Sequence, residues 1–296
     1  MPLTREIETN LSRIFFKPIR AIFSGSSQSG KTHLIGEIIK HQEKLFGDAF
    51  SNVQYYYPEY LDECPVNWHE YIDTPISYTA GFPTKDDVLS LVENSLLIID
   101  DNMKKVVQSE LMRQLFNVIS GKKNISVICV TQNYFTQGQF SRDIRNSSNY
   151  VVLLRNCADA MLNKRVANAF GLVKAYEAAK VVFEENVYPY MFIDQTQRAQ
   201  LSNYRLYTDI LSTYQVAYNS KGMKGYILSE ADFKLAYKIL EEKKKSVVAT
   251  ANEDQEAVVP RKKERISREK ELQKRKPARE RETKKTKISW TRFAHK

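Results

Sequence analysis

The stretch AIFSGSSQSGKTHLIGEII, residues 21–39, restricts the fold of this chain more than any other. An apolar run breaks into glycine, serine and lysine and resumes with apolar positions at helical spacing. Gly25, Gly30, Lys31 and Thr32 satisfy the pattern G-x-x-x-x-G-K-[ST]. Glycines at those positions let successive backbone amides curl inward around a phosphate, a lysine supplies a point charge to the outer phosphates, and a threonine hydroxyl can ligate magnesium. The loop Gly25, Ser26, Ser27, Gln28, Ser29 and Gly30, continued by Lys31, Thr32 and His33, is therefore the expected nucleotide cradle, with Mg2+ as its metal. The same octapeptide can also arise by chance in an ordinary loop, so its flanks matter. Here they read as strand, loop and helix: IRAIFS (19–24) is strand-like, and Leu34, Ile35, Ile38, Ile39 and Leu45 recur with helical period.

Further along, VQYYY (53–57) is strand-like, KDDVLSLVEN (85–94) reads as a short helix, and SLLIIDD (95–101) is a buried-strand pattern ending in two acids. The spacing predicts one helix from Met103 to Ser120, with Val107, Leu111, Leu115 and Val118 on one face and Gly121 as its stop. ISVICVTQN (125–133), YVVLL (150–154) and YMFID (190–194) supply three more strands. Strands separated by helical segments imply an α/β fold, a mostly parallel sheet with helices on both faces.

A magnesium–phosphate site needs a carboxylate at the end of a neighbouring strand, and Asp100, following LLII, is placed for it; a plain strand-end acid in a turn has the same pattern. Thr32 and Asp100 are thus the expected metal ligands. Asp101 is positioned to orient and deprotonate an attacking water, or else to serve as an acid at the start of the next helix. Gln132, emerging from the 125–131 strand, is either a contact to the terminal phosphate or a loop amide satisfying local backbone.

Taken together, GSSQSGKT, LLIIDD and ISVICVTQNYFTQGQFSRDIRNSSNYVVLLRN resemble the FtsK/HerA-type translocases. The similarity is strongest to the branch of genome-packaging ATPases found in poxviruses, other large double-stranded DNA viruses and Polinton-like or adintovirus-like elements. It spans residues 15–210 and includes MFIDQTQ and NYRLYTDI. The resemblance implies a P-loop NTPase sheet of the additional-strand type. It gives Walker A roles to Lys31 and Thr32, the Walker B role to Asp100, the catalytic-acid position to Asp101 and the sensor position to Gln132. Cellular members usually carry glutamate at the position of Asp101, whereas the viral branch tolerates aspartate. Such enzymes assemble into rings, commonly hexamers, with ATP between subunits and an arginine reaching the neighbour's terminal phosphate. Arg142 and Arg145 in SRDIR are the candidates for that finger, with Arg142 preferred; a surface or DNA-contacting role fits either residue as well.

Charge divides the chain. Residues 241–296 hold 19 Lys and Arg against 10 Asp and Glu, leaving 26 and 25 in the first 240, so the body is nearly neutral and the C-terminal part is the basic one. The expected organisation is a P-loop domain over 1–245, closed by a helix at 229–245, and a basic tail over 246–296 too poor in large apolar side chains to pack. The tail suits double-stranded DNA phosphates, a nuclear targeting signal or a solubilising extension, and ISWTRF (288–293) is a candidate contact for a capsid protein. Lys104 with Lys105, and Lys122 with Lys123, read as loop charges toward DNA or as solvated pairs. Cys64, Cys129 and Cys157 have neither disulfide nor zinc spacing, and no apolar run approaches the ~18 residues of a membrane span. An intracellular setting follows, in a host nucleus or at a site of virion assembly. The function expected is ATP-driven translocation of double-stranded DNA for genome packaging, without an appended nuclease. A helicase, a small-molecule kinase using the same loop, and a slow nucleotide-dependent switch are the competing readings.

Overall fold

The computed structural model describes residues 15–157, 159, 161–186, 188–197, 199, 203–212 and 215–227; the helix expected at 229–245, the basic tail and ISWTRF lie outside them. The unit within Met1–Glu230 is built on one sheet of ten strands. In chain order these are β1 (Arg20–Ser24), β2 (Val53–Tyr57), β3 (Ile76–Ala80), β4 (Leu96–Ile99), β5 (Ser126–Thr131), β6 (Tyr150–Leu154), β7 (Tyr190–Asp194), β8 (Tyr204–Thr208), β9 (Gln215–Asn219) and β10 (Lys224–Ile227). Their order across the sheet is β10-β9-β8-β7-β6-β1-β5-β4-β2-β3. From β6 to β3 every neighbouring pair is parallel; from β6 to β10 every pair is antiparallel. β5 lies between β1, which feeds the glycine-rich loop, and β4, which ends at Asp100. That interposed strand gives the α/β architecture of a P-loop NTPase of the additional-strand type.

The helices are α1 (Lys31–Lys40), α2 (Gln42–Phe46), α3 (Lys85–Ser90), α4 (Met103–Val106), α5 (Glu110–Gln114), α6 (Ser120–Lys123), α7 (Ser141–Ser147), α8 (Leu162–Ala169), α9 (Val173–Ala179) and α10 (Val182–Glu185). They cover both faces, as the buried strands require. Leu34, Ile35, Ile38 and Ile39 of α1 and Leu45 and Phe46 of α2 pack on one face with Ala21, Phe23, Leu96, Ile98, Ile128 and Val130. The opposite face joins Ile22, Leu97, Ile99, Val127 and Cys129 to α3–α5 and α7–α10. Odd and even positions of β1, β4, β5 and β6 thus serve different cores, the two-residue period of a pleated strand.

One expectation needs correction. The single helix from Met103 to Ser120 is instead α4, α5, a π-helical turn at Leu115–Ile119 and α6. The Val107 carbonyl turns away to accept the Phe140 N–H at 2.8 Å, and the Ser109 hydroxyl opens a new helix by accepting the Met112 N–H at 3.3 Å. The π turn adds a residue to the helical repeat, keeping Leu115 and Phe116 both inside while Val118 rotates out to 46% exposure. Gly121 sits within α6, and the run stops at Asn124 in the left-handed conformation, φ 52°.

Candidate nucleotide site

The pleat decides which side chains meet the loop. Asp100 continues the Leu96–Ile98 row and Gln132 the Ile128–Val130 row, both of which belong to the face that carries α1. Parallel pairing of β1, β5 and β4 brings the ends of these rows to the same rim of the sheet, where β1 enters the glycine-rich loop. The outcome is a cavity of about 490 Å3 whose lining includes Lys31, Thr32, Asp100, Asp101 and Gln132. Ser27, Gln28 and His33 line it as well.

Gly25, Ser26, Ser29 and Gly30 build the curl behind that surface. The Gly25 N–H donates to the Thr131 carbonyl and the Ser26 N–H to the Arg155 carbonyl, each at 3.2 Å, which ties the loop to β5 and to the end of β6. The Lys31 ammonium lies inside the curl, donating to the carbonyls of Gly25 at 2.9 Å and Ser26 at 2.7 Å. Gly30 opens α1 at φ 88°, with no side chain capping the helix, so the first-turn amides keep their hydrogen-bonding capacity for an anion. The left-handed backbone there favours glycine, and the Tyr188 ring occupies the space a Cβ would take.

Charge at the rim is compressed. Burial pulls the Lys31 ammonium below its ordinary value, opposed by Asp100 and Asp101. Burial pushes the Asp100 carboxyl above the usual carboxylate range; the Tyr55 hydroxyl, which donates to Asp100 Oδ2 at 2.5 Å, opposes that shift, Asp101 adds to it and Lys31 counters it. Asp101 stands in the left-handed region at φ 47°, a conformation that stores strain in a residue other than glycine, asparagine or aspartate. A threonine hydroxyl and one half-buried carboxylate on a shared wall are hard oxygen donors, the set Mg2+ takes when phosphates and waters complete its shell. These residues therefore fit the cation, which would be held through a few protein oxygens rather than an all-protein cage. Among the described residues there is no group of three or more His, Cys, Asp or Glu able to hold a metal.

Arg142 is exposed on α7 and does not line the cavity, whereas Arg145 donates to the Thr136 carbonyl at 3.4 Å and lies about 6 Å from the ring centres of Tyr134 and Phe135. Of the two, Arg142 is the one whose guanidinium has no partner among the described residues.

The outer wall is the part that motif reading misses. The connection between β2 and β3 contributes Pro58, Tyr60, Leu61, Pro65, Trp68 and Tyr71 to the cavity. The stretch 58–84, left without strand or helix between VQYYY and KDDVLSLVEN, was the available signal, since connections beyond ~12–15 residues with no secondary structure of their own are commonly functional. Tyr55 is missed as well: the pleat puts it on the face shared with Asp100, but only the pairing of β2 with β4 brings the two together.

No protein-family model matches the chain, and no curated protein matches it. Among solved structures it is similar to the genome packaging NTPase B204 from Sulfolobus turreted icosahedral virus 2. The complex with ATPγS gives 11% identity over 72% of this chain and 98% of that one, TM-score 0.40. The complex with AMPPCP gives 14% identity over 61% and 95%, TM-score 0.42. B204, the DNA-packaging ATPase from Sulfolobus turreted icosahedral virus, gives 11% identity over 74% and 99%, TM-score 0.38.

Proposed function

We propose that this chain hydrolyses ATP with Mg2+ and uses the cycle to move double-stranded DNA, as the genome-packaging motor of a virus or mobile element. The supporting observation is the convergence of Lys31, Thr32, Asp100, Asp101 and Gln132 on one cavity at the carboxyl rim of a parallel sheet. In this reading the amides opening α1 and the Lys31 ammonium bind the phosphate tail, while Thr32 and Asp100 hold the cation. The bound cation would neutralise charge on the transferring phosphate. Asp101 accepts a proton from the attacking water, and Gln132 orients that water against the terminal phosphate. A second acid and an amide beside the phosphate site favour transfer to water over transfer to an organic acceptor, which weighs against a kinase. Arg142, exposed and outside its own cavity, suits a role at a neighbouring protomer's site in a ring.

The test is phosphate release by the purified full chain with ATP and Mg2+, with and without double-stranded DNA, beside a mass measurement of the assembly. Turnover without an added acceptor, stimulated by DNA in a ring-sized species, is expected. Lys31→Ala should lower that turnover by ~100-fold or more, the scale of losing one charge-stabilising donor. Absent turnover, or turnover indifferent to Lys31, rejects the reading.

A further inference from the structure

We propose that Tyr55 is the positioning residue that sets the Asp100 carboxylate for a divalent cation, and that Trp68 couples this setting to the phosphate-loop helix. The proposal rests on the reading of the cavity as a metal–nucleotide site.

Tyr55 lies on β2, beside β4, where it is opposite Ile98, two residues before Asp100. It is fully buried, does not line the cavity, and reaches the site only through its hydroxyl, which donates to Asp100 Oδ2 at 2.5 Å. That bond commits a lone pair of Oδ2 and, with the Asp101 backbone hydrogen bond to the same carboxylate, fixes the plane of the group, while the carboxylate keeps further lone pairs for a cation. A carboxylate without such a partner can turn between one-oxygen and two-oxygen ligation, and Mg2+ demands near-ideal octahedral geometry.

Packing holds the phenol in place. The Trp68 ring meets the Tyr55 ring edge-on at 5.0 Å and 68°, and Tyr78 does so at 6.1 Å and 72°. Trp68, itself buried, rests against Gly36 of α1, where a Cβ would stand 2.7 Å from the indole Nε1. Contacts therefore run from Gly36 through Trp68 and Tyr55 to Asp100. They join the helix that carries Thr32 to the strand end that carries Asp100, so the two protein oxygens assigned to the cation are placed by one buried aromatic wedge.

The experiment measures Mn2+ binding to the full chain by electron paramagnetic resonance with ATPγS present, and ATPγS binding in EDTA. Tyr55→Phe keeps the ring and removes only the donor. It should weaken Mn2+ binding about tenfold, the lower end of what loss of an outer-shell partner costs, with ATPγS affinity in EDTA unchanged. Gly36→Ala alters no hydroxyl but drives a methyl into Trp68, and should weaken Mn2+ binding in the same direction by roughly threefold. Undiminished Mn2+ affinity in folded Tyr55→Phe overturns the proposal; should that variant not fold, undiminished affinity in Gly36→Ala does so. An unaltered chain that binds no Mn2+ with the nucleotide overturns instead the reading of the cavity itself.

Discussion

Asp100 is a carboxylate that the fold withdraws from water before any ligand arrives, and its thermodynamics follow from that. Its folded pKa lies above the ordinary 3.8, with burial as the leading cause. A raised carboxyl favours the folded chain below the unfolded value, and that contribution is lost as pH rises through the folded one. At neutral pH the ionised Asp100 therefore opposes folding, a cost carried for function. Asp100→Asn keeps a carbonyl oxygen to accept from Tyr55 and removes the charge. It should raise the melting temperature at neutral pH by about 2–4 °C, the shift that ~1 kcal/mol produces in a domain of this size, while abolishing Mg2+-dependent turnover. The gain should shrink on acidification, as the parent carboxyl becomes neutral too. Melting curves of both proteins between pH 5 and 8 check this, and an equal or lower melting temperature for the variant at neutral pH contradicts it.

At the scale of elements, the loop that follows β5 is fastened to the segment that follows Asp101. Besides the hydrogen bond from Phe140 to Val107, a Cβ on Gly138 would stand 2.3 Å from Val107 Cγ2 and 2.9 Å from the Val107 carbonyl oxygen. Gly138→Ala has to displace backbone, so a loss of ~1–3 kcal/mol in stability is expected. Because Gln132 precedes this contact and Arg142 follows it, turnover should fall while nucleotide affinity, set by residues 25–32, holds. Denaturant unfolding, nucleotide titration and turnover on the one variant decide it; unchanged stability would mean that the two segments are not fastened. The same segments mark where sequence reading stops. LLII and SVICVT are buried at every position, so unbroken apolar runs reveal them as interior strands and put Asp100 and Gln132 at strand ends. β3, by contrast, is an edge strand with exposed Ser77, Thr79 and Ala80, and carries little apolar signal. The antiparallel strand β8 falls within NYRLYTDI but shows only a weak alternation in YRLYT, and β9, QVAYN, lies beyond the motifs. The break between α4 and α5 is set by the partner of one carbonyl, that of Val107, and no helical period encodes a tertiary hydrogen bond. Tyr55 escaped for a related reason: its strand is legible, but its role depends on β2 lying next to β4 although β3 separates them in the chain.

For the whole molecule, the placement of Arg142 makes the proposed ring testable. Lys31 and Asp100 face the cavity from within the protomer, yet the exposed arginine of α7 does not, so an arginine serving this phosphate site has to come from another copy if Arg142 supplies it. Mixing variants separates the alternatives. Lys31→Ala protomers lack the phosphate cation but keep Arg142; Arg142→Ala protomers have an intact cavity but no finger. Alone, each should be inactive in DNA-stimulated hydrolysis. In an equimolar mixture half of the sites carry Lys31, and half of those face a neighbour with Arg142, so random assembly should restore roughly a quarter of the parent rate if each site needs only its neighbour's arginine to stabilise the transferring phosphate. An arginine acting within its own protomer gives no such recovery, because no protomer in the mixture holds both groups. Recovery that rises as the product of the two protomer fractions, and vanishes when both substitutions sit on one chain, is the signature of a site completed between subunits. Mixed oligomers that form, as verified by mass, and stay inactive reject a finger supplied between subunits, and an Arg142→Ala protein that alone keeps full DNA-stimulated hydrolysis assigns Arg142 to a surface or DNA-facing role.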